Sequence, residues 1–125
     1  MNPELDVRDL PRVVGSTGGE PGAAGAVWKL SLTPRDLDAN VIQLPAGDGI
    51  DAHTGPDIDV MLVVLDGTGR LTTERTVVDL EAGAIVWLPR RSRREFRAGP
   101  QGLRYLTVHQ RRQALVISGP PPRQP

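Results

Sequence analysis

The chain has 125 residues, and its 15 basic and 15 acidic side chains give a formal net charge of zero. This length is enough for one hydrophobic core, and a zero balance supplies no general field that would attract nucleic acid or an anionic membrane. The chain has no cysteine, which excludes disulfides, thiol catalysis and cysteine zinc sites and is compatible with a reducing cytoplasm. We therefore expect one domain with a cytoplasmic location, and neither nucleic acid nor a membrane as a partner.

The two ends of the chain differ in composition from the middle. Residues 1–25 are rich in Gly and lack the apolar segment of a secretory signal, so we expect a flexible N-terminal arm. Residues 119–125 read GPPPRQP, which favours neither a helix nor a central strand, so we expect a disordered tail. The folded domain is therefore predicted over residues 26–118.

Between these ends, short apolar segments alternate with turn signals. No window keeps helical apolar spacing over several turns, so the pattern predicts nine or ten short strands and no helix. The predicted strands cover residues 26–32, 37–44, 50–54, 57–65, 70–73, 76–80, 84–88, 93–97, 103–109 and 114–117. The sequence DGTG at 66–69 is predicted to end a strand as a hairpin breaker, and GP at 99–100 to end another. Such a pattern is typical of an all-β sandwich or barrel.

Two stretches within this pattern resemble the conserved motifs of the cupin superfamily. In residues 47–67 a Gly is followed, after five residues, by a His, and the stretch closes on a second Gly; in residues 83–94 a Gly is followed, after five residues, by a Pro. The resemblance implies a single-domain cupin-like antiparallel β-barrel or jelly roll, similar to small bacterial cupins of the actinobacterial type. The matching positions are Gly47, His53, Gly67, Gly83 and Pro89.

The resemblance also implies a place for a metal, because metal-binding cupins hold a divalent ion with three His and one Glu. The three His positions fall here on His53, Gly55 and Arg94, and the Glu position falls on Asp59 or Val60. Glycine supplies no ligand, and a guanidinium stays protonated and repels a metal. The resemblance therefore implies a degenerate metal site, and we expect no cofactor.

The residues left at these positions suggest other chemistry. An ion pair between Asp59 and Arg94 would put a guanidinium in the place of the metal, and a buried arginine can also clamp a carboxylate or phosphate ligand. His53 is a candidate general acid or base, since the pKa of histidine lies near neutral pH. It can equally be a histidine at the barrel mouth that is satisfied by neighbouring backbone or Asp.

One predicted strand adds further candidates. Tyr105, Thr107 and His109 alternate along it and would share one face. That face either lines a cavity beside His53 or turns towards solvent or a partner subunit. Trp28 and Trp87 lie in apolar segments, where each is expected in the core or in a dimer interface.

We therefore expect a protein that binds a small molecule in a polar pocket, with possible acid/base activity through His53. Two alternatives stay open. One is a metal-dependent enzyme of the dioxygenase or isomerase type, holding a divalent transition metal with His53, Asp59 and His109. The other is a non-catalytic structural or interaction module. A homodimer is the expected assembly. The candidate ligand-binding residues are His53, Asp59, Arg94, Tyr105 and His109.

Overall fold

A computed structural model describes residues 10–20 and 22–112 of the chain. The described residues form seven antiparallel strands and no helix, so this part of the chain has no helix that could cross a membrane. The predicted strand at 114–117 and the predicted tail lie outside the described residues. The strands are β1 (Gly25–Lys29), β2 (Leu37–Leu44), β3 (Gly49–Thr54), β4 (Val60–Thr73), β5 (Val77–Glu81), β6 (Ile85–Leu88) and β7 (Arg93–Gln110).

The two longest strands, β4 and β7, pair with each other and are shared by two half-sheets. Their first pairing block joins the start of β4 to the end of β7, and β1, β2 and β6 extend it into the half-sheet β1-β2-β7-β4-β6. The second block joins the end of β4 to the start of β7, and β3 and β5 extend it into the half-sheet β3-β7-β4-β5. The two half-sheets enclose the core and form a cupin-like jelly roll, as the all-β prediction required.

Strand alternation decides which side chains enter the core. Along β4, Val60, Leu62 and Val64 are at most 5% exposed, while Met61 between them is 40% exposed. Successive side chains of a strand point to opposite faces, so every second residue of β4 faces the interior. Phe96 and Tyr105 of β7 lie in the same buried cluster.

The predicted breaks inside β4 and β7 are wrong. The strand continues through residues 66–69, and the register to β7 shifts between Val64 and Asp66 and again between Gly67 and Gly69. Strand β7 likewise continues through Gly99 and the following proline. Glycines at these points bend the strands as β-bulges instead of reversing them, because both halves of each strand keep partners on either side of the bend.

Two glycines make the bend possible where the long strands cross. Gly67 and Gly102 both have φ of +78°, a region that side chains disfavour. A Cβ built on Gly67 would lie 2.1 Å from the carbonyl oxygen of Gly102. The bend therefore needs glycine for its backbone conformation and for the close approach of strands β4 and β7.

Comparing two glycines separates these effects. Gly83 has φ of +93° but no atom within 4 Å of a built Cβ. We expect Gly83→Ala to lower the free energy of unfolding by about 1 kcal/mol through backbone strain alone. Gly67→Ala adds overpacking and should cost about 2–4 kcal/mol in total. Urea unfolding followed by circular dichroism measures both; equal losses would show that the contact with Gly102 is unimportant.

The described part of the N-terminal segment, residues 10–20, contacts the outside of the first half-sheet. The Trp28 indole N–H donates to the carbonyl of Val14 at 3.2 Å. The Gln43 amide donates to the carbonyl of Glu20 at 2.9 Å, and Nη1 of Arg104 donates to the carbonyl of Thr17 at 3.2 Å. These hydrogen bonds attach the segment to β1, β2 and β7.

Candidate functional site

A cavity of about 250 Å³ lies between the two half-sheets. Apolar side chains of β2, β3, β4, β6 and β7 form much of its wall. Its polar lining comes from three strands and consists of Asn40, His53, Arg94, Tyr105, Thr107 and His109. A larger surface depression of about 580 Å³ lies beside β4 and β5, but its charged side chains are exposed. We place the site in the smaller cavity because two buried polar residues, Arg94 and Tyr105, line it together with both described histidines.

His53 and Arg94 are direct cross-strand neighbours. His53 on β3 lies opposite Arg94 on β7 in the antiparallel register, so the two side chains share the face that lines the cavity. Nδ1 of His53 lies 2.9 Å from the carbonyl oxygen of Asp51. A carbonyl only accepts, so Nδ1 carries the proton and the neutral ring has its lone pair on Nε2.

The Arg94 side chain is buried although it carries a charge. The residue is 5% exposed. Its Nε donates to the Ser92 carbonyl at 3.3 Å, and its Nη2 donates to the Pro89 carbonyl at 3.3 Å and to the Ser92 hydroxyl at 2.8 Å. Burial lowers the pKa of Arg94 from its ordinary value, and the charges of Glu74 and Tyr105 oppose that shift. The oxygens around the guanidinium therefore belong to neutral groups.

Gly55 and Arg94 form one structural unit. A Cβ built on Gly55 would lie 2.2 Å from Nη2 of Arg94 and 2.4 Å from its Cζ. The guanidinium thus occupies the space where a side chain at position 55 would begin. A histidine at this position would require Arg94 to leave its hydrogen bonds, so the glycine and the arginine depend on each other.

The expected ion pair between Asp59 and Arg94 is wrong. Asp59 is exposed and lies outside the cavity, where its carboxylate accepts the backbone N–H of Arg90 at 2.9 Å. Among the described residues no ion pair joins it to Arg94. Val60, the next residue, is 5% exposed and lines the cavity. Since neighbouring residues of a strand face opposite sides, Val60 and not Asp59 faces the cavity, and a valine side chain has no donor atom.

The residues at the family's metal position do not fit a metal. His53 supplies one imidazole nitrogen as a ligand. Gly55 and Val60 supply no ligand atom, and Arg94 supplies only a positive charge that repels a metal ion. The alternative set of His53, Asp59 and His109 is not brought together, because Asp59 lies outside the cavity. Within residues 10–20 and 22–112, no group of three or more His, Asp or Glu side chains could hold a metal ion.

The predicted face of β7 lines the cavity. Tyr105, Thr107 and His109 all contribute to its wall, from the half-sheet opposite the one that carries His53. The Tyr105 ring stacks on Phe96, with centroids 5.1 Å apart and an interplanar angle of 14°. Nδ1 of His109 lies 2.9 Å from the Gln110 carbonyl and is protonated for the same reason as in His53.

Sequence reasoning did not single out Asn40. Its side-chain oxygen accepts a hydrogen bond from the Thr107 hydroxyl, and both residues line the cavity. A signal for it was present, since Asn40 shares the strand face of the apolar Ile42 and Leu44 and is a polar residue directly beside them. The amide limits the freedom of the Thr107 hydroxyl beside the histidines.

Tyr105 is the only tyrosine of the chain, so its ionisation can be measured directly. Burial raises the pKa of its hydroxyl well above the ordinary value of about 10, although the charge of Arg94 opposes this. In the folded protein we expect little phenolate absorbance near pH 10–11, and ordinary titration in urea. The unfolded chain then releases its proton first, so the free energy of unfolding should fall as the pH rises above about 10. A midpoint near 10 in the folded protein would contradict the burial of Tyr105.

Comparisons with known proteins agree with this architecture. No family model and no curated protein matches the chain. A cupin protein from Bacteroides fragilis superposes with a TM-score of 0.62 at 21% identity, covering 82% of this chain and 90% of that one. A cupin-2 domain containing protein from Shewanella frigidimarina superposes with a TM-score of 0.55 at 13% identity, covering 75% and 85%.

The cupin domain of Schizosaccharomyces pombe Cnp3 is also similar, with a TM-score of 0.60 at 18% identity. The match covers 66% of this chain and spans 61% of that domain. At identities below 25% these likenesses concern the fold. The chain therefore has the cupin fold, as its two sequence motifs predicted.

Proposed function

We propose that this cupin-fold protein binds a small molecule in the cavity between its half-sheets, without the family's metal centre. The observation that carries the proposal is the convergence of His53, Arg94, Tyr105 and His109 on one cavity. Such pockets typically combine an apolar wall with a few polar groups that orient the ligand, and typically measure about 300–1,000 Å³. At about 250 Å³ this cavity suits a small ligand.

The tautomer of His53 supports acid/base activity in that cavity. Its Nδ1–H is engaged by the Asp51 carbonyl, which leaves Nε2 as the basic nitrogen of the neutral ring. A general base must have an available lone pair and lie within reach of the proton that it removes. His53 meets the first condition and lines the cavity, so it is the residue that we propose for proton transfer to or from the ligand.

Closing the cavity mouth tests the binding proposal. His53 is exposed and lines the cavity, whereas the neighbouring Thr54 is exposed and does not. We expect His53→Trp to abolish the thermal stabilisation that small-molecule probes give the wild type, because the larger ring fills the entrance. Thr54→Trp should leave that stabilisation unchanged. The measurement is a thermal-shift screen with anionic, neutral and cationic compounds; probes that stabilise both variants equally would contradict binding in this cavity.

Metal analysis of the same purified protein separates the alternatives. Stoichiometric iron, manganese, nickel or zinc, lost in His53→Ala, would overturn the metal-free proposal in favour of a metal-dependent enzyme. Failure of every probe to bind would favour a structural or interaction module.

We also propose that two copies of the chain pair through the outer face of the first half-sheet. On this face Met61 of β4 is paired with Trp87 of β6 on one side and with Val108 of β7 on the other. Ile85 and Trp87 are 70% and 62% exposed. Trp and Met are enriched in interfaces, and a chain of zero net charge does not repel its own copy. A two-fold pairing would cover the same apolar patch on both subunits.

Charge placed on this face should separate the dimer. We expect Trp87→Asp to weaken self-association by roughly 30-fold, since truncating a central aromatic at an interface costs about 2 kcal/mol or more. Val77→Asp is the matched control, because Val77 is 54% exposed on β5 and lies outside this face. Analytical ultracentrifugation over a concentration series gives both constants. A wild type that stays monomeric at every concentration would contradict the proposal.

A further inference from the structure

Arg94 has hydrogen-bond donors that the described protein does not use. A guanidinium has five N–H groups, and those of Nε and Nη2 reach the oxygens of Pro89 and Ser92. The two N–H groups of Nη1 have no partner among the described residues. No polar side-chain atom in the described ranges is both sealed from solvent and unpaired. Since Arg94 lines the cavity, Nη1 is open to a molecule bound there.

The charge of Arg94 also lacks a direct counter-ion. The partly buried Arg35 pairs with the Asp38 carboxylate at 2.8 Å, whereas no ion pair involves Arg94 within the described part of the chain. Glu74 acts on it only at longer range, and the Glu74 carboxylate accepts the backbone N–H of Arg93 at 2.8 Å. A buried charge without a partner is costly, so an anion in the cavity would be stabilised.

A second unused donor lines the same cavity. The Tyr105 hydroxyl has no hydrogen-bond partner among residues 10–20 and 22–112, although the residue is only 3% exposed. A tyrosine hydroxyl is protonated at neutral pH, and burial raises its pKa further, so Tyr105 is a donor. Tyr105 and Arg94 interact electrostatically and line one cavity. Two nearly buried side chains therefore offer unused donors to the same space.

We infer that the ligand is a small organic carboxylate whose oxygens accept hydrogen bonds from Nη1 of Arg94 and from the Tyr105 hydroxyl. Its apolar body would lie along the wall that includes Ile50, Leu62 and Phe96. A single arginine with a neutral hydroxyl suits one negative charge better than a phosphate dianion, because no lysine and no second arginine among the described residues lines the cavity. The inference rests on the proposed function and adds the chemical class of the ligand.

Paired probes test the class directly. Benzoate and benzamide have similar shapes but differ in charge, as do hexanoate and hexanamide. Titration calorimetry on the full chain should show carboxylates binding about tenfold or more tightly than their amides, since hydrogen bonds to charged groups are the stronger ones. Arg94→Gln should remove this preference. Arg93→Gln is the matched control, because Arg93 is the exposed neighbour on the same strand and does not line the cavity.

The outcomes distinguish this inference from the proposed function. Acids and amides that bind equally, and are both blocked by His53→Trp, would overturn the carboxylate inference while the ligand cavity stands. No binding of any probe, charged or neutral, would overturn both. If Arg94→Gln does not fold, Tyr105→Phe replaces it: this variant keeps the stacked ring and should weaken benzoate several-fold. Unchanged benzoate affinity in Tyr105→Phe would then overturn the inference.

Discussion

The pairing of β4 with β7 along nearly their whole length is the constraint on which the rest of the structure depends. Each strand serves both half-sheets, so the bend at Gly67 and Gly102 fixes how the half-sheets face each other. The site follows from this geometry, because β7 carries Arg94 before its bend and Tyr105 and His109 after it. One strand thus brings to a single cavity side chains that a break at the bend would have separated.

The pairing of β3 with β7 also couples Gly55 to Arg94. Register places Arg94 opposite His53, and the guanidinium then extends over Gly55, whose backbone N–H donates to the Ser92 carbonyl at 2.9 Å. That carbonyl also accepts from Nε of Arg94. Changing either residue alone therefore disturbs the other, and their energetic effects should not be additive.

Local patterns predicted the strands that alternate cleanly. Residues 37–44 were predicted as a strand and form β2 with the same bounds, and the predicted strands at 70–73 and 76–80 lie in the β4–β5 ladder. The glycine-rich stretch at 66–69 misled the prediction, because the same residues suit a hairpin or a bulge. Only the long-range pairing of β4 with β7 distinguishes the two structures, and no local window contains it.

Local patterns likewise predicted only some residues of the candidate site. The motif spacing located His53 and Arg94, and alternation located Tyr105 and His109 on one face. The motif spacing did not decide whether Asp59 or Val60 faces the interior, because a shift of one residue at the start of a strand exchanges its two faces. In the structure β4 begins at Val60, and the side chain of this valine is buried in the interior. Asn40 was overlooked because its meaning depends on a partner, Thr107, far away in sequence.

A guanidinium in this place changes how a ligand can be selected. A metal ion offers open coordination positions to many donor atoms, whereas Arg94 offers N–H groups in a fixed plane, and those on Nη1 have no partner among the described residues. Under the proposed function, selection would depend on hydrogen-bond direction and on a single positive charge. His53 lies directly across the strand pair, so a molecule oriented by Arg94 would meet the imidazole that we propose for proton transfer. The proposal thus assigns orientation and proton transfer to side chains on two neighbouring strands.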